Sequence, residues 1–550
     1  MLWVVFVIVS SSAYEYSKAD SRLVHIEQGP VRGYKAHDGN FYVFYGVPYA
    51  TAPTGADKYK SPLPPPIWSE TLEAVDKHIV CPQVNINMIP ESTMKEDCLT
   101  ANIYVPATAE KKLPVVVYVH GGAYIIGYGN FNTPRHLVNS QKVIAVTFNY
   151  RLGAHGFLCL GTPDIPGNAG MKDQVTLLRW VKKNIAYFRG NPHDVTIAGY
   201  SAGSSSVDLL MISKITRGLF NKVIPESGAN LAAFSVQRDP LENAKTYAKL
   251  LNFAVVDNIQ TLEGFYKNAT YEQLNSITFE ILSRPDSTFL FSPCIERDNG
   301  VEIFLDDDPV SILKSGNYQK LPMLYGFTNM EGLFRMDLFN LWKKEMNDNF
   351  VDFLPADLQF ANEVERRKVA NKVKNFYFGE KYVSQDTVLD YVDYFTDVIF
   401  AYPTLRSVRM QVEAGNNKIY LYEYSFVDYD TPFVPYTNVR GADHCAQSIA
   451  VLDGVNMTHS DESIISEEYK KMKSVMRELW LNFISTGNPI HDKSPLAVWL
   501  PAGLSGAPYM SLNQTSKLMF RSLLHRRVVF WDDIYSKHYR YSIPPIANFK

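Results

Sequence analysis

Val195-Thr196-Ile197-Ala198-Gly199-Tyr200-Ser201-Ala202-Gly203-Ser204 reads as a short strand, a serine held between two glycines, and the start of a helix. The β-branched residues Val195, Thr196 and Ile197 predict the strand, and Ala202 through Met211 has helical prospects. A serine at the turn between them has the setting of a nucleophile elbow. Gly199 and Gly203 then have a steric task. Strand and helix press together on either side of a sharp turn, and side chains there collide. A glycine-rich βα loop without chemistry carries the same signature, so the rest of the chain has to decide.

Working outward, Pro114–Val119 and Val143–Phe148 are continuous apolar runs of the kind that form strands buried on both faces. Met171–Ile185 has helical spacing through Val175, Leu178, Val181 and Ile185. Further strands are predicted near Val223-Ile224, at Leu321–Gly326 and at Ile419–Tyr424, and an amphipathic helix at Glu467–Phe483. Strands alternating with helices imply a mostly parallel sheet covered on both faces. Residues 22–60 read as short alternating strands of an antiparallel edge, Pro62–Pro66 as a turn, and Asn102–Val105 as a strand. The region from about 235 to 415 reads as a helical excursion over the sheet. The expected architecture is α/β: a mostly parallel, twisted central sheet with helices on both faces, in one domain spanning 22–541.

The 550 residues carry a net charge of −3, which gives no sign of a nucleic-acid partner or an anionic membrane surface. Leu2–Val9 is an apolar core followed by small residues, so 1–13 is expected to be a signal peptide cleaved after Ala13, although no Lys or Arg precedes the core. No later run approaches the 18 apolar residues of a membrane span, and the carboxyl end has neither a retention signal nor a hydrophobic tail. These features predict a secreted, extracellular protein. The five cysteines, Cys81, Cys98, Cys159, Cys294 and Cys445, fit neither a zinc site nor a CxxC motif. Cys81 and Cys98 are close enough to close a short loop in an oxidising compartment, and the odd count leaves a thiol free or paired with another chain. Asn268, Asn456 and Asn513 head sequons and are candidate glycosylation sites.

In an open parallel sheet, ligands bind at the carboxyl ends of the strands. His120-Gly-Gly-Ala-Tyr124 follows one such end. Paired glycines there let backbone N–H groups turn inward, and with the Ala202 N–H at a helix start they suit a developing oxyanion. A phosphate cradle fits less well, because no P-loop lysine follows the glycines. Ser201 needs a base to take its proton and a carboxylate to orient that base. Among the 12 histidines, His444 stands apart, in a loop-like segment well downstream of the strands. Glu331 follows the 321–326 strand, and the order Ser…Glu…His is that of α/β-hydrolases.

Taken together, the blocks Tyr45–Ala50, Glu96–Leu99, His120–Gly122, Asn149–Gly153, Pro166–Gly170, Asp173-Gln174, Gly199–Gly203, Glu226–Gly228, Glu331-Gly332 and Gly441 with His444 resemble the type-B carboxylesterase/cholinesterase family along nearly the whole chain, and within it secreted insect esterases. The resemblance implies an α/β-hydrolase fold with Ser201, Glu331 and His444 as a catalytic triad. It further implies an oxyanion hole of Gly121, Gly122 and Ala202, support for the triad from Ser227, a Cys81–Cys98 disulfide, and no metal or cofactor. The implied function is a secreted serine carboxylesterase acting on small-molecule esters such as odorant, pheromone or xenobiotic esters. Alternatives are a juvenile hormone esterase, a lipase, or a catalytically silent binding or adhesion protein. Three departures stand out: Tyr200 where the family usually has Glu or Gln, no cysteine in 251–268 where a second disulfide is common, and Cys445-Ala-Gln447 in place of an acidic pair after the histidine.

Overall fold

The computed structural model describes residues 18–84, 93–278, 284–454, 462–491 and 498–545; the expected signal peptide, 1–13, and Asn456 lie outside them. Strands β1 (Ser21–Ile26), β2 (Gly29–Lys35) and β3 (Phe41–Pro48) fold back on one another antiparallel. Strand β4 (Thr100–Pro106) carries that pairing into the main sheet. Next come β5 (Leu113–Val119), β6 (Ile144–Phe148), β7 (Gly190–Tyr200), β8 (Lys222–Glu226), β9 (Met323–Thr328), β10 (Ile419–Tyr424) and β11 (Tyr509–Leu512), all parallel, with β12 (Lys517–Met519) antiparallel at the edge. The sheet order is β1-β2-β3-β4-β6-β5-β7-β8-β9-β10-β11-β12, and the short pair Leu72–Glu73 beside β2 makes it 13-stranded among the described residues.

The continuous apolar runs follow from burial on both faces. Along β5, Val115, Val117 and Val119 belong to the core on one side of the sheet and Val116 and Tyr118 to the core on the other. Helix α1 (Ala169–Asn184) and helix α2 (Ala202–Ile212) supply the first core; helix α3 (Ala446–Val451) and helix α4 (Glu467–Thr486) supply the second. Every residue of α2 is buried. Its serines are accommodated because Ser204 donates to the Gly228 carbonyl at 2.7 Å, Ser205 to Ala229 at 3.1 Å and Ser206 to Ala202 at 2.9 Å.

Strand β7 is longer than Val195–Ala198. Gly190 pairs with Leu113, and the chain is already extended there. Between β8 and β10 the described residues are mostly helical apart from β9, as expected, with Pro240–Leu250, Glu363–Phe378, Val388–Phe395 and Tyr402–Glu413 among the helices. A π-helical turn, Thr396–Ala401, joins the last two.

Cys81 and Cys98 are bonded, and so are Cys159 and Cys294, 135 residues apart. The second bridge has no signal in sequence spacing. It depends on Gly167, where a Cβ would lie 2.5 Å from one sulfur and 2.7 Å from the other. Loop-closure entropy assigns the two bridges about 3 and about 5 kcal/mol. Cys445 is the remaining thiol and is buried. Alkylation of the native protein is therefore expected to label no cysteine, alkylation after denaturation Cys445 alone, and alkylation after reduction all five. Peptide mapping by mass spectrometry checks this, and native labelling of Cys159 or Cys294 would overturn it.

Candidate active site

The elbow is built by close approach. A Cβ on Gly203 would lie 2.2 Å from the Val119 carbonyl oxygen, so only a glycine lets α2 abut the end of β5. Ser201 is forced to φ 55° and ψ −124°, a conformation held by its neighbours, and its N–H donates to the Glu226 carbonyl at 2.9 Å. This turn presents Oγ at the carboxyl edge of the sheet, 3.0 Å from His444 Nε2.

Glu331 opens the 3-10 segment Glu331–Leu338 just after β9 and is completely buried. Its Oε2 accepts from His444 Nδ1 at 2.5 Å, while Oε1 accepts from the Thr328 N–H at 2.8 Å and the Ser227 hydroxyl at 2.5 Å. The histidine loop is fastened to the glutamate loop: Met330 N–H donates to the Ala442 carbonyl at 3.2 Å, and Ala442 N–H donates to Asn329 Oδ1 at 3.0 Å. Phe334 and Phe400 pack against the imidazole, with ring centroids 5.0 and 4.3 Å away. Phe400 comes from the π-helical turn, whose Thr396 hydroxyl accepts the Gly332 N–H at 2.8 Å.

Gly121 lies against the elbow: a Cβ there would be 2.7 Å from the Tyr200 carbonyl oxygen and 3.0 Å from Ser201 Cβ. Gly122 has φ +107°, and Ala202 opens α2, so its N–H has no partner within the helix. His120 shapes this loop from behind. Its Nδ1 donates to the Gly121 carbonyl at 2.8 Å, its ring stacks on Tyr150 at 4.4 Å, and burial pulls its pKa down to about 4, so it is neutral at physiological pH. Tyr200 is 7% exposed and stacks on Tyr118 with ring centroids 6.2 Å apart. Its side chain forms an aromatic bed under the elbow and the glycine loop.

Two features behind the site were not legible as contacts in the sequence. Gln447 and Ser448 on α3, directly after the histidine loop, reach Ser227 Oγ at 2.6 Å and Glu226 Oε2 at 2.5 Å. The dipeptide Glu226-Ser227 thereby references the elbow, the glutamate and the histidine loop to one point. Glu226 also accepts from Tyr422 Oη and, at 3.1 Å, from Trp480 Nε1. Burial drives its pKa up from 4.5 to about 7 despite these donors. The folded protein holds this proton more tightly than the unfolded chain, so the stabilisation it confers is full below about pH 4.5 and is lost as pH rises through about 7. The increment is on the order of 3 kcal/mol. Glu226→Gln is expected to narrow the gap in Tm between pH 5 and pH 8, measured by calorimetry; an unchanged gap would assign the slope to other groups.

Family-pattern residues away from the site hold the scaffold. Arg151 binds Asp173 through two nitrogens, at 2.8 and 2.6 Å, in a buried pair, and Asn149 donates to the carbonyls of Ile79 and Cys98. Of the sequons, Asn268 is exposed at a helix end and Asn513 is half-buried in a turn after β11. Among the described residues, His136, Asp453 and Glu462 form the one trio close enough to hold a cation. Arg477 lies 2.5 Å from Glu462 and 3.6 Å from Asp453, which makes the trio part of an ion-pair network. No helix among the described residues is long and apolar enough to cross a membrane.

A model of the carboxylesterase family matches residues 20–531. Juvenile hormone esterase of Heliothis virescens is 31% identical over 98% of this chain and 99% of its own length. Esterase FE4 of Myzus persicae is 30% identical over 89% of this chain and 88% of its own. Among solved structures, juvenile hormone esterase from Manduca sexta with OTFP covalently attached is similar with a TM-score of 0.83 at 28% identity, over 94% of this chain and 100% of that one. The architecture described above is accordingly the α/β-hydrolase fold.

Proposed function

The chain belongs to the carboxylesterase family and is a carboxylic ester hydrolase, and we propose that it works as a secreted serine esterase through an acyl-enzyme on Ser201. The observation that carries this reading is the placement of His444 between Ser201 Oγ at 3.0 Å and Glu331 Oε2 at 2.5 Å.

Ser201 attacks the ester carbonyl while His444 Nε2 takes its proton, and Glu331 holds the imidazole and stabilises the charge it acquires. The N–H groups of Gly121, Gly122 and Ala202 receive the tetrahedral oxyanion. His444 then protonates the departing alcohol, and water repeats the sequence to release the acid. Residues 22–541 act as one domain in this reading, and Ser227 steadies Glu331. Export fits the two disulfides, with 1–13 as the leader and Asn268, Asn456 and Asn513 as glycan acceptors. Labelling with a fluorophosphonate tests the mechanism: an adduct on Ser201 is expected, and folded protein that takes up none would refute it.

For substrate, we favour odorant, pheromone or xenobiotic esters, because Tyr200 differs from the glutamine usual in juvenile hormone esterases. Juvenile hormone itself is the second reading, favoured by the similarity to two juvenile hormone esterases. A panel varying acyl and alcohol length, with juvenile hormone included, separates them. A kcat/KM for the hormone well above every short ester would reverse the preference.

A further inference from the structure

Arg335 is a buried cation without a counter-charge. It follows Glu331 by four residues on the same 3-10 segment and is only 2% exposed. A guanidinium offers two faces and an edge of five N–H donors. The faces are served by rings: Cζ lies 4.9 Å from the centroid of Phe334, 5.3 Å from Trp342 and 5.7 Å from Phe289. The edge is not served. Among the described residues no carboxylate pairs with it and no oxygen accepts from it, and Nε is sealed from solvent without a partner. Asp286, the acid whose field it feels, is already bound to Arg284 at 2.9 Å. Burial lowers the Arg335 pKa only to about 10, so it stays charged at neutral pH.

Several deeply buried cations in this chain are neutralised: Arg151 by Asp173, Lys172 by Glu296, Arg238 by Asp308. That is the arrangement burial of charge requires. Arg335 departs from it, as does Arg406, which stacks on Tyr535 and Tyr539 with its Nη1 unpartnered. Of the two, Arg335 lies one ring away from the candidate site, since Phe334 also packs against His444 at 5.0 Å. The charge of Glu331 is engaged by His444, Thr328 and Ser227, so Arg335 has no share in it.

We propose that Arg335 anchors a carboxylate carried by the ester substrate at the end remote from the scissile bond, an inference that rests on the esterase reading. The substrate class is then half-esters of dicarboxylic acids and related esters bearing a free acid. A carboxylate is planar and takes two parallel hydrogen bonds from the Nη1–Nη2 edge of a guanidinium, the edge away from the sealed Nε, and the surrounding rings keep water from competing. A neutral ester of the same length leaves that edge unserved.

The test compares the 4-nitrophenyl monoester of adipic acid with its uncharged methyl-capped counterpart. Wild-type enzyme is expected to favour the free acid in kcat/KM by about tenfold or more, the range of a hydrogen bond to a charged group. Arg335→Met is expected to erase the preference while turning over the neutral ester within a few fold of wild type, and Arg335→Lys to keep part of it. Equal treatment of the two esters by wild-type enzyme, which needs no variant to fold, overturns the proposal while leaving the esterase reading intact. An unchanged preference in Arg335→Met also overturns it. Failure to hydrolyse either ester would overturn both readings.

Discussion

Ser201→Ala is expected to lower kcat for ester hydrolysis by about a millionfold, to abolish fluorophosphonate labelling, and to leave Tm within about a degree or two of wild type. The stability half of this follows from the geometry. Alanine keeps the Cβ that already sits against Gly121, meets the same backbone demand at φ 55°, and retains the N–H bond to Glu226 at 2.9 Å. Only the hydroxyl facing His444 Nε2 is lost. No neighbouring hydroxyl can take over. Ser227 is buried with its hydroxyl committed to Glu331 and accepting from Gln447, and Ser204 donates to the Gly228 carbonyl. A variant that retains more than about a hundredth of wild-type turnover would place the nucleophile elsewhere.

The central strands were legible because burial on both faces leaves a compositional mark. Ile419–Tyr424 has the predicted bounds, and Met171–Ile185 shifts only to Ala169–Asn184. Local composition marks the strand only from Val195, and tertiary pairing with Leu113 extends it back to Gly190. Ser201, Glu331 and His444 could be singled out because each follows a strand of a parallel sheet, and topology brings such ends to one edge. Their supports could not. Gln447 and Ser448 meet Ser227 and Glu226 across more than two hundred residues, with no periodicity to announce the meeting. Tyr200 was visible as a departure, but its stacking on Tyr118 depends on which strands are neighbours. Phe334, Phe400 and Arg335 lie on a 3-10 segment and a π-helical turn, whose side-chain directions do not follow the 3.6-residue period.

Glu331→Gln is the second large effect, expected at about 10⁴-fold in kcat with Ser201 and its surroundings intact. The carboxylate faces only donors: Thr328 N–H and the Ser227 hydroxyl on Oε1, His444 Nδ1 on Oε2. Glutamine has one acceptor oxygen and must turn its amide group toward one of these sides. If the amide faces Thr328 and Ser227, a buried backbone N–H loses its partner, at a cost of about 1–3 kcal/mol. If it faces His444, Nδ1 has to become the acceptor, and the imidazole proton moves to Nε2, pointing at Ser201. The second arrangement leaves two donors satisfied on the first side and is the one favoured. In that tautomer Nε2 has no lone pair to take the serine proton, so the fold survives and the base is disabled. Ring-nitrogen NMR of His444 reads the tautomer directly, and Glu331→Asp, which keeps an acceptor-only group, is expected to recover part of the activity. Full activity in Glu331→Gln would pass the role to another acid. The nearest in sequence, Asp443, already accepts the His444 backbone N–H at 2.6 Å, and it would have to leave that bond to serve the ring.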